Sequence, residues 1–118
     1  MAWKIEYYQS RSGKYPVEAF INSLEVKSRA RIARTLDLLE EFGIELGMPY
    51  VRFLEKQLWE LRIRLGRNRY RIIYFLPNGR TFILLHAFSK KTDAVSRADI
   101  EIAKSRQDDY LSRSRKRI

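Results

Sequence analysis

Apolar and polar residues alternate most regularly between positions 59 and 74, with the period of two that is expected of half-buried β-strands. An even-length turn centred on Gly66 and Arg67 keeps the apolar residues of both strands on one face. An odd loop would turn the intervening arginines into the apolar face, which the cost of burying charge excludes. The pattern therefore predicts a β-hairpin with one apolar face. The apolar positions are Trp59, Leu61, Ile63, Leu65, Tyr70, Ile72 and Tyr74.

The opposite face of this hairpin carries one glutamate and four arginines. The register places Arg62 opposite Arg71 and Arg64 opposite Arg69. Like charges that lie directly opposite destabilise a sheet, so folding alone gives little reason for this arrangement. We interpret the face as a rigid platform for a polyanion, with a merely solvated sheet face as the alternative. Glu60 is a candidate proton acceptor in catalysis or an ion-pair partner that relieves the crowding of the arginines, and we favour the ion pair.

The N-terminal part of the chain predicts a strand from Trp3 to Tyr8 and then a helical hairpin. Pro16 suits the start of the first helix, because the first helical turn does not need its N–H. The second helix runs from about Lys27 to Phe42, with Gly43 as its stop. The residues expected to face inward are Val17, Phe20, Ile21 and Leu24 in the first helix and Ile32, Ala33, Leu36 and Leu39 in the second. The outer side of the second helix is expected to carry Arg29, Arg31 and Arg34.

The C-terminal part predicts further strands and a final helix. A short strand is expected over 52–57, and a turn at 77–79 precedes a strand over 81–88 that is apolar on both faces and therefore covered on both sides. Ser96 and Asp99 fit a capping box that opens a helix to about residue 111. We expect a single α+β domain over 1–111, with a helical hairpin packed on a mostly antiparallel β-sheet and a C-terminal helix, and a basic, frayed tail over 112–118.

Composition adds a strong positive charge to this picture. The 118 residues include 24 lysines and arginines and 14 acidic residues, which gives a net charge of +10. Such a balance in a small domain indicates an anionic partner, with nucleic acid first and an anionic membrane second. The chain has no cysteine, no apolar stretch long enough to span a bilayer and no signal peptide at its start. We therefore expect a soluble cytoplasmic protein that does not associate with membranes.

The candidate chemistry rests on cations. His86 is the only histidine, no carboxylate cluster has metal-ligand spacing, and no glycine-rich phosphate loop is present, so neither a metal nor another cofactor is expected. Arginines on a rigid sheet could instead support metal-free RNA cleavage, in which the 2′-hydroxyl attacks phosphorus and guanidinium groups stabilise the added negative charge. The candidate cations are Arg62, Arg64, Arg67, Arg69, Arg71, Lys90 and Lys91.

The place of His86 depends on the turn before its strand. A two-residue turn sets His86 opposite Arg71 and Phe88 opposite Arg69, with Lys90 extending from the same side. A three-residue turn buries His86 beside Tyr70 instead. Both alternatives stay open, so His86 is either a core histidine or a member of the site.

Four segments, at 58–62, 70–75, 84–92 and 100–103, carry a resemblance to a known family. They read Leu-Trp-Glu-Leu-Arg, Tyr-Arg-Ile-Ile-Tyr-Phe, Leu-Leu-His-Ala-Phe-Ser-Lys-Lys-Thr and Ile-Glu-Ile-Ala. In this order and spacing they resemble the phage-derived, HigB-like branch of the RelE toxin superfamily, over about residues 3–106. The resemblance implies a RelE-like fold and a type II toxin. Such a toxin is an mRNA endoribonuclease, often dependent on the ribosome, and is neutralised by a cognate antitoxin that is commonly a helix-turn-helix protein.

By position, the resemblance implies catalytic roles for Arg62, Arg71 and Lys90. It implies substrate contacts for Arg64, Arg69 and Lys91, and Arg67 in the turn is a further candidate for RNA binding. Several relatives place a histidine or tyrosine near the C-terminus for proton transfer, and no equivalent is evident in this sequence. A basic RNA- or ribosome-binding module without catalytic activity is the alternative function.

Overall fold

A five-stranded sheet with the strand order β1-β5-β4-β3-β2 forms the centre of the molecule. The computed structural model describes residues 3–90 and 94–115. The strands are β1 (Lys4–Tyr7), β2 (Val51–Glu55), β3 (Leu58–Leu65), β4 (Asn68–Phe75) and β5 (Thr81–Lys90), and the helices are α1 (Pro16–Asn22), α2 (Val26–Phe42) and α3 (Arg97–Arg115). β1 pairs with β5 in parallel, and the other strand pairs are antiparallel. The α+β fold with a mostly antiparallel sheet is therefore confirmed.

Helices cover the sheet from both sides and create two apolar clusters. On one face, α1 and α2 pack over Ile63, Tyr70 and Ile72. On the other face, α3 packs over Phe75 and neighbouring residues of β5. The second face is the polar face of the β3–β4 hairpin. Because α3 covers only its apolar part, the arginines stay at the other end of that face.

The inward side of α2 differs from the predicted one at three positions. Ala33 is exposed, whereas Ser28 and Thr35 are buried. The two hydroxyl groups can enter the core because each has a partner: Ser28 Oγ lies 2.7 Å from Tyr70 Oη, and Thr35 Oγ1 donates a 2.9 Å hydrogen bond to the carbonyl oxygen of Arg31. The apolar pattern of α2 alone therefore does not define its buried side.

The predicted register of the β3–β4 hairpin is confirmed. Arg62 pairs with Arg71, Arg64 with Arg69, and Ile63 with Tyr70. The pairing follows from the side-chain period of two, since a shift by one residue would exchange the apolar and the charged faces.

The β4–β5 register contains a β-bulge that neither turn alternative anticipated. Ile73 pairs with His86 but the adjacent Tyr74 pairs with Leu84, so Leu85 is an extra residue in β5. At the charged end of β5, the side chains face the directions that the two-residue turn predicts. The pairings of His86 with Arg71 and of Phe88 with Arg69 are nevertheless wrong, because His86 pairs with Ile73 and Phe88 pairs with Arg71, each two residues further along β4. Next to the turn, the pairings of Tyr74 with Leu84 and of Phe75 with Ile83 have the parity of the three-residue alternative, but the bulge means that His86 is not buried beside Tyr70 as that alternative predicted.

The final helix begins as predicted and ends later than predicted. The N–H of Asp99 donates to Ser96 Oγ at 3.2 Å, which is the expected cap. The helix continues to Arg115, so residues 112–115 of the predicted tail are helical. The rest of that tail lies outside the described residues. Among the helices that the structure describes, none is long and apolar enough to cross a membrane.

Gly43 ends α2 with a backbone that favours glycine. Its φ is +58°, and a Cβ placed there would overlap the indole ring of Trp3. We therefore expect Gly43→Ala to lower the free energy of unfolding by about 1–3 kcal/mol, the usual cost of overpacking. Urea unfolding monitored by circular dichroism measures this loss. Gly47→Ala is the matched control, because no atom lies within 4 Å of its added Cβ. Equal losses for the two variants would contradict the packing argument.

Candidate anion-binding site

Cross-strand pairing arranges the charged face in rows that run across three strands. One row contains Arg64, Arg69 and Lys90, because Arg69 pairs with both of the others. The next row contains Arg62, Arg71 and Phe88. The third contains Glu60, Ile73 and His86. Three predicted arginines and Lys90 are thus neighbours of Arg71 on one rigid surface, as the candidate site requires.

Glu60 lies beneath the arginines and is fully buried. Its Oε1 is 3.7 Å from Nε of Arg62, and its Oε2 is 3.5 Å from Nε of Arg71. A carboxylate between two guanidinium groups compensates their repulsion, which is the ion-pair role that the sequence favours. The side chain has 0% exposure, so a substrate cannot reach it without a rearrangement. This geometry supports the ion-pair role of Glu60 over the role of proton acceptor.

The cations differ strongly in exposure. Arg71 is only 3% exposed, whereas Arg62 and Lys90 are 21% and 22% exposed. Arg64 is exposed and Arg69 is half-buried. Arg62, Arg64 and Arg69 can therefore contact a phosphate more easily than Arg71. Arg71 instead contacts Glu60 and forms part of the lining of the adjacent cleft.

A cleft of about 380 Å³ opens beside these arginines. Its described lining comes from α2, the loop before β2, and the β3–β4 hairpin, and includes no acidic residue. Arg31 of α2 reaches this cleft and donates a 2.9 Å hydrogen bond to the carbonyl oxygen of Arg64. Arg31 is exposed, as expected for the outer side of the helical hairpin, and its guanidinium group also lines this cleft. The lining residues are Arg31, Thr35, Pro49, Tyr50, Arg62, Ile63, Arg64, Arg69 and Arg71.

His86 belongs to the charged face but both of its ring nitrogens have contacts. Nε2 lies 2.8 Å from Asp99 Oδ1, and Nδ1 lies 3.4 Å from NH1 of Arg106. Because Arg106 can only donate, these contacts fit the neutral tautomer in which Nε2–H donates to Asp99. Burial lowers the pKa of His86 and the charge of Arg106 lowers it further, against the opposing effect of Asp99. His86 is thus held as a neutral link between β5 and α3.

Asp99 connects the start of α3 to the cations of β5. Its Oδ2 accepts a 2.6 Å hydrogen bond from Ser96 Oγ and lies 3.6 Å from Nζ of Lys90. Desolvation opposes ionisation, but the hydrogen bonds from Ser96 and His86, together with the charge of Lys90, lower the net pKa of Asp99. The capping residue that we recognised from the sequence therefore also positions Lys90.

The remaining candidates are spread around the site. Arg67 lies exposed in the hairpin turn, and Lys91 lies outside the described residues. Two aromatic residues of the same sheet face, Phe75 and Phe88, are buried, and the ring of Phe75 packs edge-on against Tyr110. Within residues 3–90 and 94–115, no group of three His, Cys, Asp or Glu side chains is placed to hold a metal ion.

Four residues near the site were not assigned to it from the sequence, and only one of them had a usable signal. The capping box identifies Asp99, whereas the pairing that places Tyr50 beside Arg62 is visible only in the structure. Arg31 and Arg106 had no local signal, because their positions depend on how α2 and α3 pack on the sheet.

Fold and site together define a small basic α+β protein with a sheet face that is rich in arginine. The family model described as "Phage derived protein Gp49-like (DUF891)" matches residues 19–108. The chain belongs to this family, a RelE-like toxin family of toxin–antitoxin systems. No curated protein matches the chain at a significant level. The matched range includes Arg31, the whole hairpin and Asp99, and an antitoxin is the partner that membership suggests.

Replacing the buried carboxylate tests its structural role. Glu60→Gln keeps the side-chain volume but leaves the guanidinium of Arg71 without its compensating charge. We expect the free energy of unfolding to fall by about 3–5 kcal/mol, as for other broken buried ion pairs. Urea denaturation at neutral pH measures the loss.

Glu55→Gln provides the matched control. Glu55 also has two cationic partners, Arg97 at 2.8 Å and Lys104 at 3.5 Å, but they lie on the surface. Exposed ion pairs contribute little, so this variant should lose much less stability. Similar losses in both variants would show that Glu60 is not a special support of the arginine face.

The single histidine allows a direct titration. We expect the ring signals of His86 in NMR spectra to titrate below the ordinary value of 6.5, since burial and Arg106 lower its pKa. Asp99→Asn should lower this pKa further and Arg106→Gln should raise it. The folded chain binds this proton less readily than the unfolded chain. The contribution of His86 to the free energy of unfolding is therefore complete above pH 6.5, and it is lost as the pH falls through the pKa of His86 in the folded chain. A pKa at or above 6.5 would refute the arrangement.

Proposed function

We propose that this protein is the toxin of a type II toxin–antitoxin system, and that it cleaves mRNA on the translating ribosome in the cytoplasm without a metal ion. The observation that carries the proposal is the arginine-lined cleft on a rigid sheet in a member of a RelE-like toxin family. A face of fixed cations suits a phosphodiester, because preorganised positive groups stabilise charge that develops in the transition state.

The proposed reaction transfers the phosphorus from one oxygen to another. The 2′-hydroxyl oxygen forms a bond to phosphorus and releases its proton, while the bond between phosphorus and the 5′-oxygen breaks. The leaving 5′-oxygen takes up a proton. The products are therefore a 2′,3′-cyclic phosphate and a 5′-hydroxyl end, and no oxidant, reductant or metal is needed.

The exposure of each cation suggests its role. Arg62 and Lys90 approach the scissile phosphate and stabilise its added charge, and Arg69 binds it or the next phosphate. Arg71 acts mainly through Glu60 as a positioning residue. Arg64, Arg67 and Lys91 hold the flanking backbone of the RNA.

For proton transfer, neither of the two candidate bases of this chain, His86 and Glu60, is well placed. The contacts of both nitrogens of His86 and the burial of Glu60 make neither a ready base. We propose that ribosomal groups complete the site, which makes the toxin dependent on the ribosome. As a HigB-like member, it is neutralised by a helix-turn-helix antitoxin encoded beside it.

Induced expression tests the nuclease. The wild-type protein should arrest growth and create new mRNA 5′ ends on translating ribosomes. Arg62→Ala and Lys90→Ala should each reduce cleavage by about 10²–10³-fold, the usual effect of removing one group that stabilises developing charge. Lys4→Ala, an exposed charge change at the far edge of the sheet, should cleave like the wild type. Coexpression of the neighbouring helix-turn-helix protein should restore growth.

The alternative, a basic module that only binds RNA or the ribosome, gives a different result. It would slow translation without producing any cut ends, and a 2′-deoxy substitution at the mapped positions would have no effect. Normal growth with no new 5′ ends after induction would falsify the toxin proposal.

A further inference from the structure

We infer that the cleft beside the hairpin is a nucleotide subsite in which the ring of Tyr50 stacks on one base of single-stranded RNA while the surrounding arginines bind the adjacent phosphates. This inference rests on the proposed function and adds to it a residue that recognises the base. It is carried by the position of Tyr50, the shape of the cleft and the charges of its lining.

Tyr50 lies in line with the arginine row. The N–H of Arg62 donates a 2.7 Å hydrogen bond to the carbonyl oxygen of Tyr50, which extends the β2–β3 pairing by one residue beyond Val51. Residues that pair directly across two strands present their side chains to the same face. Tyr50, Arg62 and Arg71 therefore form one continuous row, with Tyr50 at its outer end.

The cleft exists because β2 is shorter than its partner. β3 continues to Leu65, whereas the pairing with the β2 segment stops at Arg62, so residues 63–65 have no strand pairing on that side within the described chain. Arg31 of α2 closes part of this edge through its bond to the carbonyl oxygen of Arg64. The loop at Pro49 and Tyr50 forms the other wall.

The lining matches a nucleotide better than a phosphate alone. Five arginines and no described acidic residue favour a polyanion. The walls also include Pro49 and Tyr50, which is 38% exposed, and an inorganic ion would leave these two surfaces in contact with water. The volume of about 380 Å³ is within the range of small-ligand pockets, about 300–1,000 Å³.

Stacking on tyrosine tolerates every base, because each base has a π-face. The subsite should therefore select a flexible single strand over a duplex, and should show only a weak preference among bases. This is the specificity that a toxin needs if it is to act on many different mRNAs.

Binding of an uncleavable RNA tests the inference. The probe is a fluorescein-labelled, fully 2′-O-methylated hexanucleotide, and its anisotropy is measured with the full-length protein. Tyr50→Ala should weaken binding by about tenfold or more, in line with the measured contribution of base stacking, and Tyr50→Phe should bind within about twofold of the wild type. Tyr15→Ala is the matched control: Tyr15 is 42% exposed but lines a different cleft, beside β1 and α3.

A series of probes, each with one base removed, completes a double-mutant cycle. At the stacked position, the abasic probe should bind the wild type as weakly as the intact probe binds Tyr50→Ala, and the two changes together should cause no further loss. Unchanged binding by Tyr50→Ala, or additive losses at every position, would overturn the inference. Because the probe cannot be cut, these results are independent of the nuclease assay. Cleavage without any effect of Tyr50 would reject the subsite alone, and Tyr50-dependent binding without cleavage would reject the nuclease alone.

Discussion

The buried carboxylate of Glu60 is the interaction on which the charged face depends. Two strands that present arginines directly opposite one another gain no stability from those pairs. Glu60 changes this balance, because one negative charge lies within 4 Å of the guanidinium groups of both Arg62 and Arg71. A buried ion pair of this kind is weak evidence for stability, since an apolar replacement is often as stable. Its presence is better explained by what it supports, which is a fixed array of cations at the surface.

A second carboxylate orders the same array from the opposite direction. Asp99 approaches from α3 and contacts both His86 and Lys90 of β5. The helix that covers the apolar end of this sheet face therefore also fixes the position of a cation at its charged end. The more exposed arginines, Arg64 and Arg69, line the cleft. Cations held in this way need little reorganisation when they bind an anion, which is the condition for electrostatic stabilisation of a transition state.

The alternation of apolar and charged residues predicted the strand register of the β3–β4 hairpin. It did not predict the features that depend on how the elements pack against one another. The β3–β4 register followed from the cost of burying Arg62 and Arg64. The β4–β5 register did not, because the bulge at Leu85 inserts one residue and no turn signal at 77–79 encodes it. Ala33 was placed inward on apolarity, although Thr35 enters the core by bonding to its own helix. Arg31 reaches the cleft because α2 packs against β3, and the sequence pattern of α2 alone does not encode this packing.

The crowding of like charges also connects the stability of this protein with its partners. A ligand that binds only the folded chain stabilises it in proportion to its affinity and concentration. An RNA strand or an acidic protein segment on the cleft relieves the repulsion among the arginines that Glu60 and Asp99 compensate only in part. Any polyanion that binds this face would gain affinity from the same cluster of positive charges. Under the proposed function, a polyanion that binds this face would therefore also raise the stability of the folded chain.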